Sequence, residues 1–199
     1  MGNKSLDNYR AFLKGSEAGL EALVTEYSDN IIYYAYHSAG NFNIAEDLME
    51  SAFLKLVIKK PSFKDERELV VYLYKAVGDA AERWSKKKPN TPGAASFFGE
   101  IKDLSESEWA SEYIIKAPED RIKFDIVSNY ESNAKPILFL YFFQKLDKRQ
   151  IADITGKNES LIGKIIAVGR DRVMFAASSR VGTESCTDTD VGIKGDGSL

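Results

Sequence analysis

Between Ile44 and Lys59 the chain reads IAEDLMESAFLKLVIK, in which apolar and polar positions alternate with a helical period. Ala45, Leu48, Ala52 and Leu56 fall on one face of a helix, while Glu46, Asp47, Glu50 and Lys55 fall elsewhere. This predicts an amphipathic helix with one side in a core and an acidic surface on the other. Upstream, Leu6, Tyr9, Phe12, Leu13, Leu20, Leu23 and Val24 recur at helical intervals. They predict two helices over 5–26, with a break near Gly15 and Ser16 as a cap. Tyr27 to Ala39 is denser in apolar residues, as expected of a helix buried on more than one side. Gly40 should end that helix, and 41–43 should turn the chain into the acidic helix. Beyond Pro61, Glu66 to Lys88 carries a second helical pattern with Leu69, Tyr72, Leu73, Ala76 and Ala80 as its inward stripe.

Pro89, Pro92 and Gly93 interrupt this pattern and open a linker over 89–117, with one weak helix expected from Ser107 to Lys116. A short helix should follow from Pro118 to Asn129, with Ile122, Ile126 and Val127 facing inward. Ile137 to Phe143 is the most apolar run and predicts a hydrophobic helix entered through Pro136. From Arg149 to Val173 the pattern is two helices joined at Gly156, where Ala152 is small enough for a close helix crossing. This is the spacing of a helix-turn-helix. The stretch 177–199 is rich in Gly, Ser, Thr and Asp and reads as a disordered tail. The expected fold is all-α, with two small helical domains at 5–88 and 118–176 joined by the linker.

Composition narrows the function classes. With 27 basic and 30 acidic residues among 199, the net charge of -3 advertises no global attraction to nucleic acid, so any positive surface must be local. It is found from Tyr72 to Lys88, where Lys75, Arg83, Lys86, Lys87 and Lys88 outnumber Asp79 and Glu82. The single cysteine, Cys186, excludes an internal disulfide and a cysteine-based metal site. His37 is the only histidine, and no nucleophile with an adjacent base or phosphate-binding glycine loop is apparent. A non-enzymatic protein without a cofactor is therefore expected. The first residues hold no apolar core of signal-peptide length, and the expected compartment is the cytoplasm.

The order of acidic helix, aromatic and basic helix, linker and helix-turn-helix resembles the sigma-70 family of bacterial RNA polymerase sigma factors, in its small two-domain extracytoplasmic-function group. In the acidic helix, Ala45, Glu46, Asp47, Leu48 and Phe53 match the family pattern in register, with Glu50 and Ser51 where Gln and Glu are usual. In the C-terminal unit, Ile137 to Phe143, Leu146, Ile151, Ala152 and Gly156 match. There are departures too. Val77, Gly78, Asp79 and Glu82 stand where the family commonly has Ala, Arg, Asn and Asp, and Ile165, Ala167 and Val168 occupy positions usually basic.

The resemblance implies a factor that binds core RNA polymerase and directs promoter recognition. It implies polymerase contacts at Glu46, Asp47, Leu48, Glu50, Phe53 and Leu54. Promoter minus-ten contacts would come from Tyr74, Lys75, Asp79, Arg83, Trp84, Lys86, Lys87 and Lys88, because an opened strand needs ring faces for its bases and cations for its phosphates. The second helix of the helix-turn-helix would read the minus-thirty-five duplex through Asn158, Glu159, Ser160, Leu161 and Lys164, with Arg170 and Arg172 on phosphates. The linker would thread along the polymerase cleft. An anti-sigma protein is a further partner of the kind the family has, and the free chain is expected to be monomeric. The departures keep open an alternative, a sigma-like interaction protein that binds polymerase or an anti-sigma partner without opening promoters.

Overall fold

A computed structural model describes residues 4–87 and 114–184, all of whose regular structure is α-helical. The helices are α1 (Lys4–Leu13), α2 (Glu17–Ala39), α3 (Phe42–Lys59), α4 (Glu66–Lys87), α5 (Pro118–Ser128), α6 (Lys135–Phe142), α7 (Lys148–Thr155) and α8 (Glu159–Glu184). Residues 88–113, which include Lys88, Trp109 and most of the linker expected over 89–117, and the residues from 185 on, with Cys186, lie outside the described residues.

Local signals set most of the boundaries. α2 is one continuous helix rather than two, and it stops at Gly40, whose left-handed φ of 70° lets its N–H donate to the Tyr36 carbonyl at 2.6 Å. Asn41 caps α3, accepting from the Ile44 N–H at 3.2 Å. Pro118 and Pro136 lie in the first turns of α5 and α6, where a missing N–H costs nothing. α7 opens with a full capping box: Asp147 accepts from the N–H groups of Arg149 and Gln150, and the Asp147 N–H donates to the Gln150 side chain. Gly156 ends it at φ 66°, and Asn158 then accepts from the Ser160 N–H at 2.7 Å as α8 begins. α8 runs on to Glu184, so helix extends into the stretch expected to be a tail.

α2 is the central element. It packs on α1, α3 and α4, and also on α6. Leu23, Ile31, Tyr33, Tyr34 and Ala35 of α2 are buried together with Leu56 of α3 and Leu69, Leu73 and Val77 of α4. This apolar cluster continues into Phe124, Ile137, Phe139, Leu146, Ile151, Ile154 and Ile162 of the C-terminal half. The joining residue is Tyr33, whose ring lies 4.7 Å from that of Phe139 and 6.0 Å from that of Phe124, centroid to centroid. Beside it the Gln144 amide donates to Asn30 at 3.2 Å. The seam also holds a cleft of about 580 Å³, lined by Glu26, Asn30, Glu66, Phe143 and Lys145 among others. Among the described residues no helix is long and apolar enough to cross a membrane.

Candidate polymerase and nucleic-acid interfaces

The face of α3 turned away from the core is mixed acidic and apolar. Glu46, Asp47 and Glu50 are exposed, and so is Leu54 at 58%. Ile58, one turn further on and 77% exposed, extends the row and is a residue that the sequence reading missed. Its signal was available: it stands four positions after Leu54, off the inward stripe. Two of the residues assigned to polymerase contact lie elsewhere. Leu48 and Phe53 are both buried, each 6% exposed, and belong to the core beside Ala45, Ala52 and Leu56. The inward stripe is wider than four residues because α3 is wedged between α2 and α4.

On α4 the candidate residues divide in the same way. Tyr74 is completely buried, in edge-to-face contact with Tyr34, and offers no ring face to a base in this arrangement. Burial pushes its phenol well above the ordinary tyrosine range. α4 is covered on more than one side, by α2 and α3 and also by α7, so the single inward stripe drawn from the sequence was too narrow. Trp84 is half-buried, whereas Arg83 and Lys86 are exposed.

Charge on α4 is largely neutralised locally. The Lys75 ammonium forms an ion pair with Asp153 of α7, and Asp79 pairs with Lys55 of α3 at 3.7 Å. Lys86 sits 2.7 Å from Glu82 one turn away, and its hydrogen bond, followed by its positive charge, draws the Glu82 carboxyl below the usual range. The negative charge introduced at Asp79 is thus countered within the protein. Arg83 lies at the end of α4 whose charges face solvent.

The first turns of α8 present Asn158, Glu159, Ser160, Leu161 and Lys164 to solvent, with Ile162 and Ile166 turned inward. Arg170 is exposed. Arg172 is exposed as well, but its guanidinium lies 4.7 Å from the centre of the Tyr130 ring, a cation–π contact. α8 also carries an exposed apolar row, which includes Val168, one of the positions usually basic in the family. Leu161, Val168 and Phe175 are spaced by seven and are 49%, 49% and 75% exposed.

The chain is similar to an extracytoplasmic-function sigma factor. Over 78 residues it is 32% identical to the ECF RNA polymerase sigma factor SigW of Bacillus subtilis (strain 168), a stretch that makes up 39% of this chain and 42% of that protein. The chain thus spans less than half of the relative's length. No family model matches the chain. Over that part of the chain the similarity supports a sigma-factor-like relationship and a role in transcription.

Proposed function

We propose that this chain is a transcription initiation factor that joins core bacterial RNA polymerase and directs it to promoters. The reading is carried by α3, a helix held in the core by Leu48, Phe53 and Leu56 that shows solvent a row of Glu46, Asp47, Glu50, Leu54 and Ile58. Such a row suits a basic helical partner with apolar side chains, the acids setting orientation and encounter rate and the apolar pair contributing affinity. The end of α4, where Arg83 and Lys86 are exposed near Trp84, then receives the opened minus-ten strand together with the lysines that follow in the sequence, Lys87 and Lys88, with Lys75 and Asp79 further up the helix. The α7–turn–α8 unit acts as a helix-turn-helix on the minus-thirty-five duplex, through Asn158, Glu159, Ser160, Leu161 and Lys164, with Arg170 on phosphate. On this reading the sites work by binding, need no cofactor or catalytic group, and the factor acts alongside polymerase in the cytoplasm. The net charge of -3 leaves little nonspecific attraction to DNA, so promoter binding depends on polymerase.

The test is reconstituted transcription with core polymerase and a pool of genomic upstream fragments, reading RNA 5′ ends. Discrete start sites that vanish when the protein is left out are the expected result. A second reading is favoured by the apolar row of Leu161, Val168 and Phe175, which suits a protein partner better than phosphates. On that reading the chain is a sigma-like regulatory protein, and it would bind core polymerase or an anti-sigma protein without producing start sites.

A further inference from the structure

α8 is packed on one side and open on the other. Ile162 and Ile166 are buried, and Gly169 lies so close to α6 that a Cβ there would come within 2.6 Å of Leu138. On the open side Leu161, Val168 and Phe175 recur at every seventh residue, all of them well exposed. A seven-residue step drifts by only about 20° on an α-helix, so the three side chains form one row, about 21 Å from end to end. Single exposed apolar residues are ordinary on a protein surface, whereas a row of this length marks a contact. Lys164 and Asp171 stand three positions after Leu161 and Val168, hence on the same flank of the row, and both are exposed. The face is therefore apolar with one charge of each sign, unlike the row on α3, where Glu46, Asp47 and Glu50 would repel a second copy of themselves.

Such a face complements itself. Two copies laid antiparallel about a two-fold axis at Val168 bring Val168 against Val168 of the second copy, and Leu161 of each against Phe175 of the other. The same two-fold carries Lys164 of each copy to within one residue of the level of Asp171 in the other, on the same flank, which makes two ion pairs. A parallel pair in register would instead set Lys164 beside Lys164 and Asp171 beside Asp171. We infer that the outer face of α8 is a homodimer contact, filled by α8 of a second copy running antiparallel. Three apolar levels and two exposed ion pairs are less than the roughly 1,600 Å² of a standard interface, so the dimer is weak and forms as the protein accumulates. One consequence rests on the initiation-factor reading. Leu161 and Lys164 lie in the seam, so the dimer and the minus-thirty-five duplex compete for the same residues, and accumulated free factor withholds its own DNA-reading helix.

The full-length protein allows a test of the dimer without polymerase or DNA. Sedimentation equilibrium from about 5 to 200 µM should show monomer and dimer in exchange. Lys164→Asp sets like charges together in its own dimer, and Asp171→Lys does the same, so each should raise the dissociation constant at least about tenfold. Mixing the two variants in equal amounts restores both ion pairs between unlike copies, and the dimer should return to within about threefold of wild type, which no folding defect would allow. Wild-type protein that stays monomeric at 200 µM overturns the inference. A dimer indifferent to both reversals overturns α8 as its seam, and a mixture that stays monomeric overturns the antiparallel pairing. For the consequence, Val168→Cys in a Cys186→Ser background leaves one thiol per copy, which a short bis-methanethiosulfonate bridges across the two-fold and reduction releases. The bridged dimer should give at least fivefold fewer transcripts with core polymerase than the same protein after reduction. Equal transcription by the two forms overturns the competition with DNA. No transcription from either form or from wild type removes the initiation-factor reading and leaves the dimer standing.

Discussion

The rings of Tyr34 and Tyr74 meet edge to face inside the core, centroids 5.2 Å apart and planes at 84°. The Tyr74 hydroxyl has no hydrogen-bond partner among the described residues. A buried polar group left unpaired costs about 1–3 kcal/mol. Tyr74→Phe keeps the ring contact and removes the hydroxyl, so it should raise stability in urea by about 1 kcal/mol. It should leave start-site choice untouched. A variant that folds more stably but misreads the minus-ten element would show that Tyr74 leaves the core in the working complex.

On α3, core and surface substitutions should separate cleanly. Leu48→Ala or Phe53→Ala should lose about 2–5 kcal/mol of stability through lost burial and the cavity left behind. Asp47→Lys, Glu50→Lys and Leu54→Ala should leave the melting temperature within a degree or two, since exposed positions seldom matter for stability. They should weaken association with core polymerase at least tenfold when combined, measured by biolayer interferometry. Equal binding by the triple variant would remove α3 as the docking surface.

Arg170 and Arg172 are two positions apart yet differ in what holds them. Arg172→Ala forfeits the contact with Tyr130 and should cost about 0.5–1 kcal/mol of stability, with little change in the salt dependence of promoter binding. Arg170→Ala should leave stability alone and reduce the slope of log K against log salt by about 0.9, the loss of one phosphate contact. A salt titration of the polymerase complex on an upstream duplex distinguishes the two.

Alkaline titration should expose the tyrosines that tie α1 and α2 to the rest. Burial, followed by the neighbouring Tyr72, pushes Tyr9 from 10.0 to about 12, and burial raises Tyr27 further. A folded-state pKa above the unfolded value means stability that is whole below pH 10 and lost as pH climbs toward the folded value, because only the unfolded chain ionises there. Unfolding midpoints in urea should therefore fall from pH 10 to 12. Tyr9→Phe should flatten that fall while costing about 1 kcal/mol at neutral pH through loss of the 2.7 Å bond to the Pro61 carbonyl.

The amino-acid sequence by itself determined the helical class and most helix ends, because these depend on neighbours along the chain. Gly40 and Gly156 could be read as stops, Pro118 and Pro136 as first-turn residues, and Ala45, Leu48, Ala52 and Leu56 as an inward face. The exposed acids of α3 and the solvent-facing first turn of α8 were legible for the same reason. How many sides of a helix are covered was not legible, since that depends on what packs there from elsewhere in the chain. A one-sided stripe left Tyr74 and Phe53 as surface candidates, and only the tertiary structure buried them, by wedging α3 and α4 among several neighbours. The continuous core through Tyr33 and Phe139 and the pairing of Lys75 with Asp153 join residues 106 and 78 positions apart. Contacts at that separation leave no periodic trace in the sequence. Gly78 shows the division most clearly: along the chain it looks like a weakness in a helix, and in the fold it is where Ile154 comes through.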